Sequence, residues 1–257
     1  MDPTDCRKLV QELRGNTTDG AARLARQAIS MLRAQIAASP TADLAGRTRS
    51  CANTLAIARP SVAAIGNLMR HWMATFAWPD EHFRCRAIAH CDAILMSADR
   101  ALDETVERAR RRLAALPTGS AVLTHSASST VRAAVAGLPV ELAVTASEPG
   151  GEGRRLAAEL GVPCIEDGDA VTSVAGFDAL VVGADAVGSK HFVNKVGTLS
   201  LASAAQSAGT PFYVVAESYK WVSQGRPVVD EAAFETVPNH LVTAFLTDKV
   251  LPRCFAR

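Results

Sequence analysis

Residues 179–187 read Ala-Leu-Val-Val-Gly-Ala-Asp-Ala-Val, and the rest of the chain is organised around them. The apolar run at 180–182 is too short for a core helix, so it predicts a strand that is buried on both faces. Asp185 follows this strand and places a carboxylate just past its carboxyl end.

The chain continues from this strand into a second one through a helix. Residues 193–198 read Val-Asn-Lys-Val-Gly-Thr and lead into a helix predicted over 198–208. Residues 211–221 read Pro-Phe-Tyr-Val-Val-Ala-Glu-Ser-Tyr-Lys-Trp and begin with an apolar strand at 212–215. The pattern predicts one β-α-β unit, with polar groups at the sheet edge where open α/β sheets bind ligands.

Composition limits the classes of function. The chain has 257 residues and 48% of them are hydrophobic, which is enough for one large domain or two ordinary ones. Lys and Arg number 27 against 26 Asp and Glu, so no general attraction to nucleic acid or anionic lipid is expected. The six cysteines include no C-x-x-C pair, which favours reduced thiols over a zinc site or a disulfide framework. We expect a cytoplasmic protein with no membrane association and no cofactor, because neither a signal pattern nor an apolar run of membrane length occurs.

Up to about residue 116 the apolar residues recur at three- and four-residue steps, which predicts a helical domain. Asp19 is the predicted cap of an early helix. The buried face of that helix is predicted to carry Leu24, Ala28, Met31, Leu32 and Ile36. Further helices are predicted at about 42–58, from Pro60 onward, and at about 80–116.

The end of the longest helix suggests a domain boundary. Pro117-Thr118-Gly119 breaks the helix and divides the chain into residues 1–116 and 117–257. Just before it, Arg108, Arg110, Arg111 and Arg112 form a dense charge run, which we interpret as a solvated helix face and not as a nucleic-acid site.

After residue 117 strands and helices alternate. The predicted strands lie at 121–124, 140–144, 162–165, 180–182 and 212–215, with helices at about 129–136, 152–160, 170–174 and 198–208. This alternation predicts an α/β fold, in which a helical domain precedes a doubly wound parallel sheet. A polar group follows every strand, and such clustering indicates a site: His125-Ser126, Ser147-Glu148, Glu166-Asp167, Asp185 and Glu217-Ser218. The apolar spacing over 237–246 predicts a last helix that covers the sheet or a partner.

The candidate groups each allow two interpretations. Asp185 lies between apolar neighbours, so desolvation should raise its pKa toward general-base use, unless loop amides satisfy it. Asn194 and Lys195 precede a helix start and predict either a phosphate cradle with free helix amides or an ordinary cap. Ser128-Ser129-Thr130 fits a second anion cradle or a cap equally well. His125 is interpreted as a strand-end histidine in preference to a partner for a nucleophilic Ser126.

Three motifs together resemble one superfamily: Gly183-Ala184-Asp185-Ala186-Val187, Asn194-Lys195-Val196-Gly197-Thr198 and Glu217-Ser218-Tyr219-Lys220. It contains the alpha, beta and delta regulatory subunits of translation initiation factor 2B, methylthioribose-1-phosphate isomerase and ribose-1,5-bisphosphate isomerase. Further matching elements extend the resemblance over about residues 19–251: Asp19-Gly20-Ala21, Arg59-Pro60-Ser61, residues 124–128 and residues 237–248. The resemblance implies a helical amino-terminal domain and a Rossmann-like carboxyl-terminal domain that dimerises.

For its isomerase members the resemblance implies aldose–ketose interconversion of a ribose 1-phosphate by a cysteine and an aspartate. The aspartate corresponds to Asp185, and the cysteine corresponds to Ser126, so these two residues occupy the catalytic positions. The implied substrate-binding positions are Gly20, Ala21, Arg59, Asn194 and Lys195, to which we add His125 and Ser128.

Two departures from the family pattern bear on activity. The serine at position 126 is a far weaker acid than a thiol, so it is poorly suited to acid–base chemistry near neutral pH. Glu148 stands where the family commonly has an arginine, and we expect it to disfavour a doubly phosphorylated ligand if it faces the site.

The sequence therefore leaves three hypotheses. The first is a factor-2B-like protein that binds a sugar phosphate or nucleotide as a homodimer or larger homo-oligomer, without the cysteine–aspartate chemistry. The second is an aldose–ketose isomerase with altered catalytic residues, and the third is a subunit in guanine-nucleotide exchange, which would require partner chains. In all three cases we expect no direct nucleic-acid binding.

Overall fold

The first half of the chain is helical in the computed structural model, which describes residues 3–78, 82–222 and 227–249. Its helices are α1 (Pro3–Gly15), α2 (Ala21–Ala38), α3 (Leu44–Ala56), α4 (Ala63–Thr75) and α5 (Phe83–Leu113). The predicted face of α2 is confirmed, since all five of its apolar residues are buried. The predicted cap of α2 is wrong: Gly20 is the N-cap residue, and Asp19 instead accepts hydrogen bonds from Asn16 and Arg23. The bond from Asn16 is the main reason that the pKa of Asp19 is lowered.

The second half contains nine strands and four helices within the described residues. The strands are β1 (Ala121–His125), β2 (Glu141–Thr145), β3 (Cys164–Ile165), β4 (Ala179–Val182), β5 (Ala186–Val187), β6 (His191–Lys195), β7 (Phe212–Val215), β8 (Phe234–Pro238) and β9 (Ala244–Leu246). The helices are α6 (Ser129–Val135), α7 (Glu152–Leu160), α8 (Asp167–Ser173) and α9 (Thr198–Ala208).

Six strands form a parallel sheet in the order β3-β2-β1-β4-β7-β9. The predicted doubly wound α/β fold is confirmed. The chain turns from one side of the sheet to the other between β1 and β4, and a ligand crevice is expected at such a reversal. Ser126 follows β1 and Asp185 follows β4, so the reversal lies between them.

The sheet differs from the prediction in two ways. A hairpin of β5 and β6 is inserted before α9 and pairs with β8 in a second, antiparallel sheet. The helix predicted over 237–246 is wrong, because this segment ends β8, makes a short 3-10 turn and forms β9. Val237, Leu241 and Val242 are buried at helix-like spacing, but pairing with the distant β6 and β7 decides their structure.

Helix α5 joins the two halves. Cys91, Ile94 and Ala98 belong to the core of the helical half, whereas Ala109 and Leu113 pack against the sheet. The division at residues 116 and 117 stays a prediction. Residues 79–81, where this helix was expected to begin, lie outside the described part of the chain.

The arginine run at the end of α5 is a largely exposed helix face, as interpreted from the sequence, and three of its members also contact the sheet domain. Arg108 donates to the Thr247 carbonyl at 2.9 Å, and Arg110 donates to the Ala136 carbonyl at 2.5 Å. Arg112 lies over the ring of Tyr213 and bonds its hydroxyl, and Arg111 pairs with Glu107. The run therefore fastens α5 to the sheet domain.

The described cysteines, at positions 6, 51, 85, 91 and 164, are free thiols, and Cys254 lies outside the described residues. No helix in the described ranges has both the length and the hydropathy needed to cross a bilayer.

Candidate functional site

A cleft of about 570 Å³ opens between the start of α2 and the carboxyl ends of β1, β4 and β6. Nine residues singled out from the sequence line this one cavity: Gly20, Ala21, Arg59, His125, Ser126, Ser128, Asp185, Asn194 and Lys195. The tertiary structure therefore brings together groups from positions 20 to 195, and their roles in binding or catalysis remain predictions.

Asp185 carries a carboxylate that is suited to proton transfer. Its backbone is fixed on both sides, because its N–H donates to the Val193 carbonyl and its carbonyl accepts from Ala63 N–H. The residue is only partly exposed to the cleft. Burial is the main cause that raises the pKa of the Asp185 carboxyl to about 6, against the opposing fields of Lys220 and Arg59. Within the described ranges no group forms a hydrogen bond to this carboxylate.

Ser126 is held in a defined position beside the cleft. Its backbone adopts a left-handed conformation with φ of 67°. Its N–H donates to Ser147 Oγ at 2.8 Å, and its own hydroxyl donates to Glu152 Oε1 at 3.0 Å. The hydroxyl therefore donates to a carboxylate, and it remains a far weaker acid than the thiol of the family pattern.

The close approach of β4 and α6 depends on Gly183. A Cβ at this position would lie 2.7 Å from Ser128 Oγ, which is nearer than atoms normally approach. Ser128 Oγ itself accepts from Val131 N–H at 3.3 Å, so this serine is a helix cap, one of the two roles that the sequence allowed.

Lys195 is buried and already paired. Its ammonium lies 2.9 Å from Glu152 Oε1 and 3.1 Å from Glu152 Oε2, and it also bonds the Pro149 carbonyl. The neighbouring Asn194 donates to Thr198 Oγ1 at 3.0 Å. These contacts hold both residues at the cleft wall.

The start of α9 does not present a cradle of free amides to the cleft, which was one of the two alternatives that the sequence left open. Leu199 N–H donates to Glu235 Oε1 at 2.8 Å, and neither Gly197 nor Thr198 lines the cleft. The start of α2 does face the cleft: Gly20, Ala21 and Ala22 line the cavity, and no side chain caps this helix. Backbone N–H groups at such an end favour an anion.

Arg59 is also engaged by a carboxylate. Nε donates to Glu231 Oε1 at 2.9 Å, Nη2 donates to Glu231 Oε2 at 2.6 Å, and Nη1 donates to the Asn16 carbonyl at 2.7 Å. The arginine is 6% exposed, so this pair forms a fixed part of the cleft wall.

His125 is a buried strand-end residue, as interpreted from the sequence. Nε2 faces the Val196 carbonyl at 2.9 Å and Nδ1 lies 2.6 Å from Thr145 Oγ1. Because a carbonyl only accepts, the proton is assigned to Nε2 and Nδ1 accepts from the threonine. Burial lowers the pKa of His125, which favours this neutral form.

The acid beside the site is Glu152 and not Glu148. Glu148 is exposed, lies 3.3 Å from Arg154 Nε, and does not line the cleft, so the condition for its predicted effect is not met. Sequence reasoning missed Glu152 as well as Glu231. Glu152 could have been suspected from its position at the start of α7, whereas no local signal pairs Glu231 with a residue 172 positions away.

Comparison with known proteins places the chain among relatives of two kinds. A model of the initiation factor 2 subunit family matches residues 17–232. A ribose 1,5-bisphosphate isomerase of Haloferax volcanii is 28% identical over 95% of this chain and 88% of its own length.

Two solved structures share the fold. The translation initiation factor eIF-2B of Pyrococcus horikoshii OT3 superimposes with a TM-score of 0.79 at 23% identity, covering 96% of both chains. A chain of the tetrameric eIF2B-beta2-delta2 complex from C. thermophilum has a TM-score of 0.72 at 20% identity, covering 95% of this chain and 88% of that one.

Proposed function

The chain belongs to the initiation factor 2 subunit family, and on this basis we propose that it binds a phosphorylated pentose of the ribose 1-phosphate type, or a nucleotide, without cysteine–aspartate isomerase chemistry. The observation that carries the proposal is the state of Ser126. This residue lines the same cleft as the predicted phosphate-binding positions, and its hydroxyl is bonded to Glu152.

Phosphate binding is supported by the polar groups around the cleft mouth. The uncapped start of α2 presents Gly20 and Ala21, and Lys195 and Arg59 lie in the same cavity. Helix amides together with fixed cations make a suitable phosphate site, although both cations have carboxylate partners.

The lack of turnover follows from the chemistry of a serine. Aldose–ketose isomerisation moves a proton between adjacent carbons, so one group has to accept a proton and another has to deliver one. A thiol can exchange its proton near neutral pH, whereas a serine hydroxyl holds its proton too tightly, even when it donates to a carboxylate as it does here. Ser126 donates to Glu152 and has no contact with the His125 ring nitrogens, both of which are engaged elsewhere in the described structure.

A ligand screen followed by a turnover assay tests the proposal. Thermal unfolding would be measured with ribose 1-phosphate, methylthioribose 1-phosphate and nucleoside monophosphates. A ligand at 100 times its Kd should stabilise the fold by about 2.7 kcal/mol. NMR of the best ligand incubated with the protein should show no ketose. Failure of every phosphate to bind contradicts the binding role, and stoichiometric conversion contradicts the absence of catalysis.

A second candidate function is an isomerase with altered catalytic residues, and Asp185 favours it. Its carboxyl has a pKa raised to about 6 by burial and faces the cleft, as a general base should. If NMR detects turnover, Asp185→Asn should abolish it. A variant with unchanged turnover would exclude this aspartate as the base.

We also propose that the chain assembles with copies of itself. The related solved complex from C. thermophilum is described as tetrameric, which supports an oligomer without setting its size. Light scattering coupled to gel filtration measures the mass directly, and a monomer at all concentrations would contradict the proposal. Work in guanine-nucleotide exchange would need partner chains, and a cytoplasmic location stays a prediction.

A further inference from the structure

The charges that line the cleft balance one another. Four acidic and four basic side chains border it: Asp19, Glu152, Asp185 and Glu231, and Arg59, Arg155, Lys195 and Lys220. A cleft with this balance has no surplus of positive charge to neutralise a highly charged ligand.

The three buried cations each have a carboxylate within ion-pair distance. Lys195 pairs with Glu152 at 2.9 Å, and Arg59 pairs with Glu231 at 2.6 Å. Lys220 pairs with the buried Glu217 at 2.8 Å. The remaining cation, Arg155, is exposed and donates to the Gly150 carbonyl.

Glu152 is the acid best placed to act on a ligand. Its side chain is 17% exposed, against 6% for Lys195, so the pair is enclosed and poorly screened by solvent. Both oxygens of Glu152 point at the ammonium, and Oε1 also accepts from Ser126. A phosphate group beside Lys195 would therefore also lie close to the Glu152 carboxylate.

We propose that Glu152 is a specificity-determining residue that restricts the cleft to singly phosphorylated ligands. This inference rests on the proposed function. One phosphate can use the helix amides at the start of α2, where Gly20 and Ala21 border the cleft. A second phosphate adds about two more negative charges and finds each buried cation already neutralised. The Lys195 side of the cleft then receives the uncharged part of the ligand, such as sugar hydroxyls, for which Glu152 is a hydrogen-bond acceptor.

The substitution Glu152→Gln tests the effect of the Glu152 charge by itself. The amide keeps the shape and can still accept from Ser126, but it no longer neutralises Lys195. Calorimetric titration with ribose 1-phosphate and with ribose 1,5-bisphosphate would give the affinity ratio of the two sugars. The wild-type protein should prefer the monophosphate. In the variant the ratio should shift toward the bisphosphate by about tenfold, because removing a nearby carboxylate removes its repulsion of the second phosphate.

Glu148→Gln is the matched control, because it removes the same charge from an exposed residue outside the cleft. It should leave the ratio unchanged, and thermal unfolding without ligand would verify that both variants are folded. Equal or tighter binding of the bisphosphate by the wild-type protein would overturn this inference alone. So would equal shifts in the two variants. Binding of neither sugar would overturn this inference, and failure of every phosphate in the thermal-unfolding screen would overturn the proposed function as well.

Discussion

Arg59 and Glu231 form a two-bond ion pair across the cleft wall, with Nε to Oε1 at 2.9 Å and Nη2 to Oε2 at 2.6 Å. The two residues are 172 positions apart, and the arginine lies just before α4 of the helical half. Nearby, Ser61 N–H donates to Asp230 Oδ1 at 3.1 Å and Asp230 N–H donates to Ser61 Oγ at 2.9 Å. These contacts join the helical half to the segment between β7 and β8, and so they shape the site.

Arg59→Leu should lower the free energy of unfolding by about 2–4 kcal/mol. The substitution removes a buried arginine. It leaves the Glu231 carboxylate and the Asn16 carbonyl without the hydrogen bonds that Arg59 donates to them. Urea denaturation measures the change. Arg23→Leu is the matched control: its pair with Asp19 is exposed on the arginine side, so a loss below about 1 kcal/mol is expected. Equal losses in the two variants would show that the Arg59 pair is not structurally important.

Asp185→Asn should raise stability at high pH and have little effect at low pH. The pKa of this carboxyl is about 6 in the folded protein and 3.8 as its ordinary value, so the folded state holds its proton more tightly. Asp185 therefore contributes on the order of 2–3 kcal/mol to the free energy of unfolding below pH 3.8, and this contribution is lost as pH rises through about 6.

Denaturation of wild-type protein and Asp185→Asn at pH 5 and pH 8 would detect this. The variant should gain more at pH 8 than at pH 5. Asp103→Asn, at an exposed position on α5, should show no such difference. A gain for Asp185→Asn that is the same at both pH values would contradict the raised pKa.

Ser126→Cys should create or increase isomerase activity, by about tenfold or more over the wild-type protein. A thiol at this position supplies the acid–base group that the serine lacks, next to a cleft that already contains Asp185. NMR or a coupled assay with the best-binding sugar phosphate measures the rate. Ser126→Ala is the control and should remain inactive. If Ser126→Cys is no more active than Ser126→Ala, the serine is not the group that limits turnover.

Gly153→Ala should destabilise the protein by about 2–4 kcal/mol, because there is no room for a methyl group. A Cβ would lie 1.9 Å from the Thr145 carbonyl oxygen and 2.6 Å from Ser147 Oγ, where α7 packs against β2. To relieve this clash α7 would have to move away from β2. That movement would displace Glu152 and weaken ligand binding. Gly168→Ala in α8 is the control, with no atom within 4 Å of the new methyl, and it should be neutral or stabilising by up to about 1 kcal/mol. Thermal unfolding of the two variants separates these outcomes.

Local pattern was sufficient for most of the fold. The buried face of α2 follows from apolar residues at helical spacing, and each such residue is buried. The strands at 179–182 and 212–215 follow from short apolar runs between turn residues, and both are buried along their whole length. The position of Ser126 and Asp185 at one crevice follows from the rule that parallel strands end at the same sheet edge.

At three places a distant partner decides what local pattern predicted wrongly or left open. Residues 237–246 have helix-like apolar spacing. They form strands instead, because β8 pairs with β6 and β9 pairs with β7. The first turn of α9 would have free amides in isolation, but Glu235 from β8 accepts the hydrogen bond of Leu199. The arginines at the end of α5 are largely exposed, as predicted, but carbonyls and Tyr213 of the sheet domain also bind three of them, which no local pattern indicates.

The sequence by itself determined the order and type of most elements and the residue types gathered at the sheet edge. It could do so because backbone preference and apolar periodicity act over a few neighbouring residues. The charge state of the cleft was decided only by the tertiary structure. The pairs Arg59–Glu231 and Lys195–Glu152 join residues from separate elements, and electrostatic energy depends on distance and burial, which no spacing along the chain encodes. For the same reason Glu152 lines the cleft, while Glu148, four residues earlier, faces solvent.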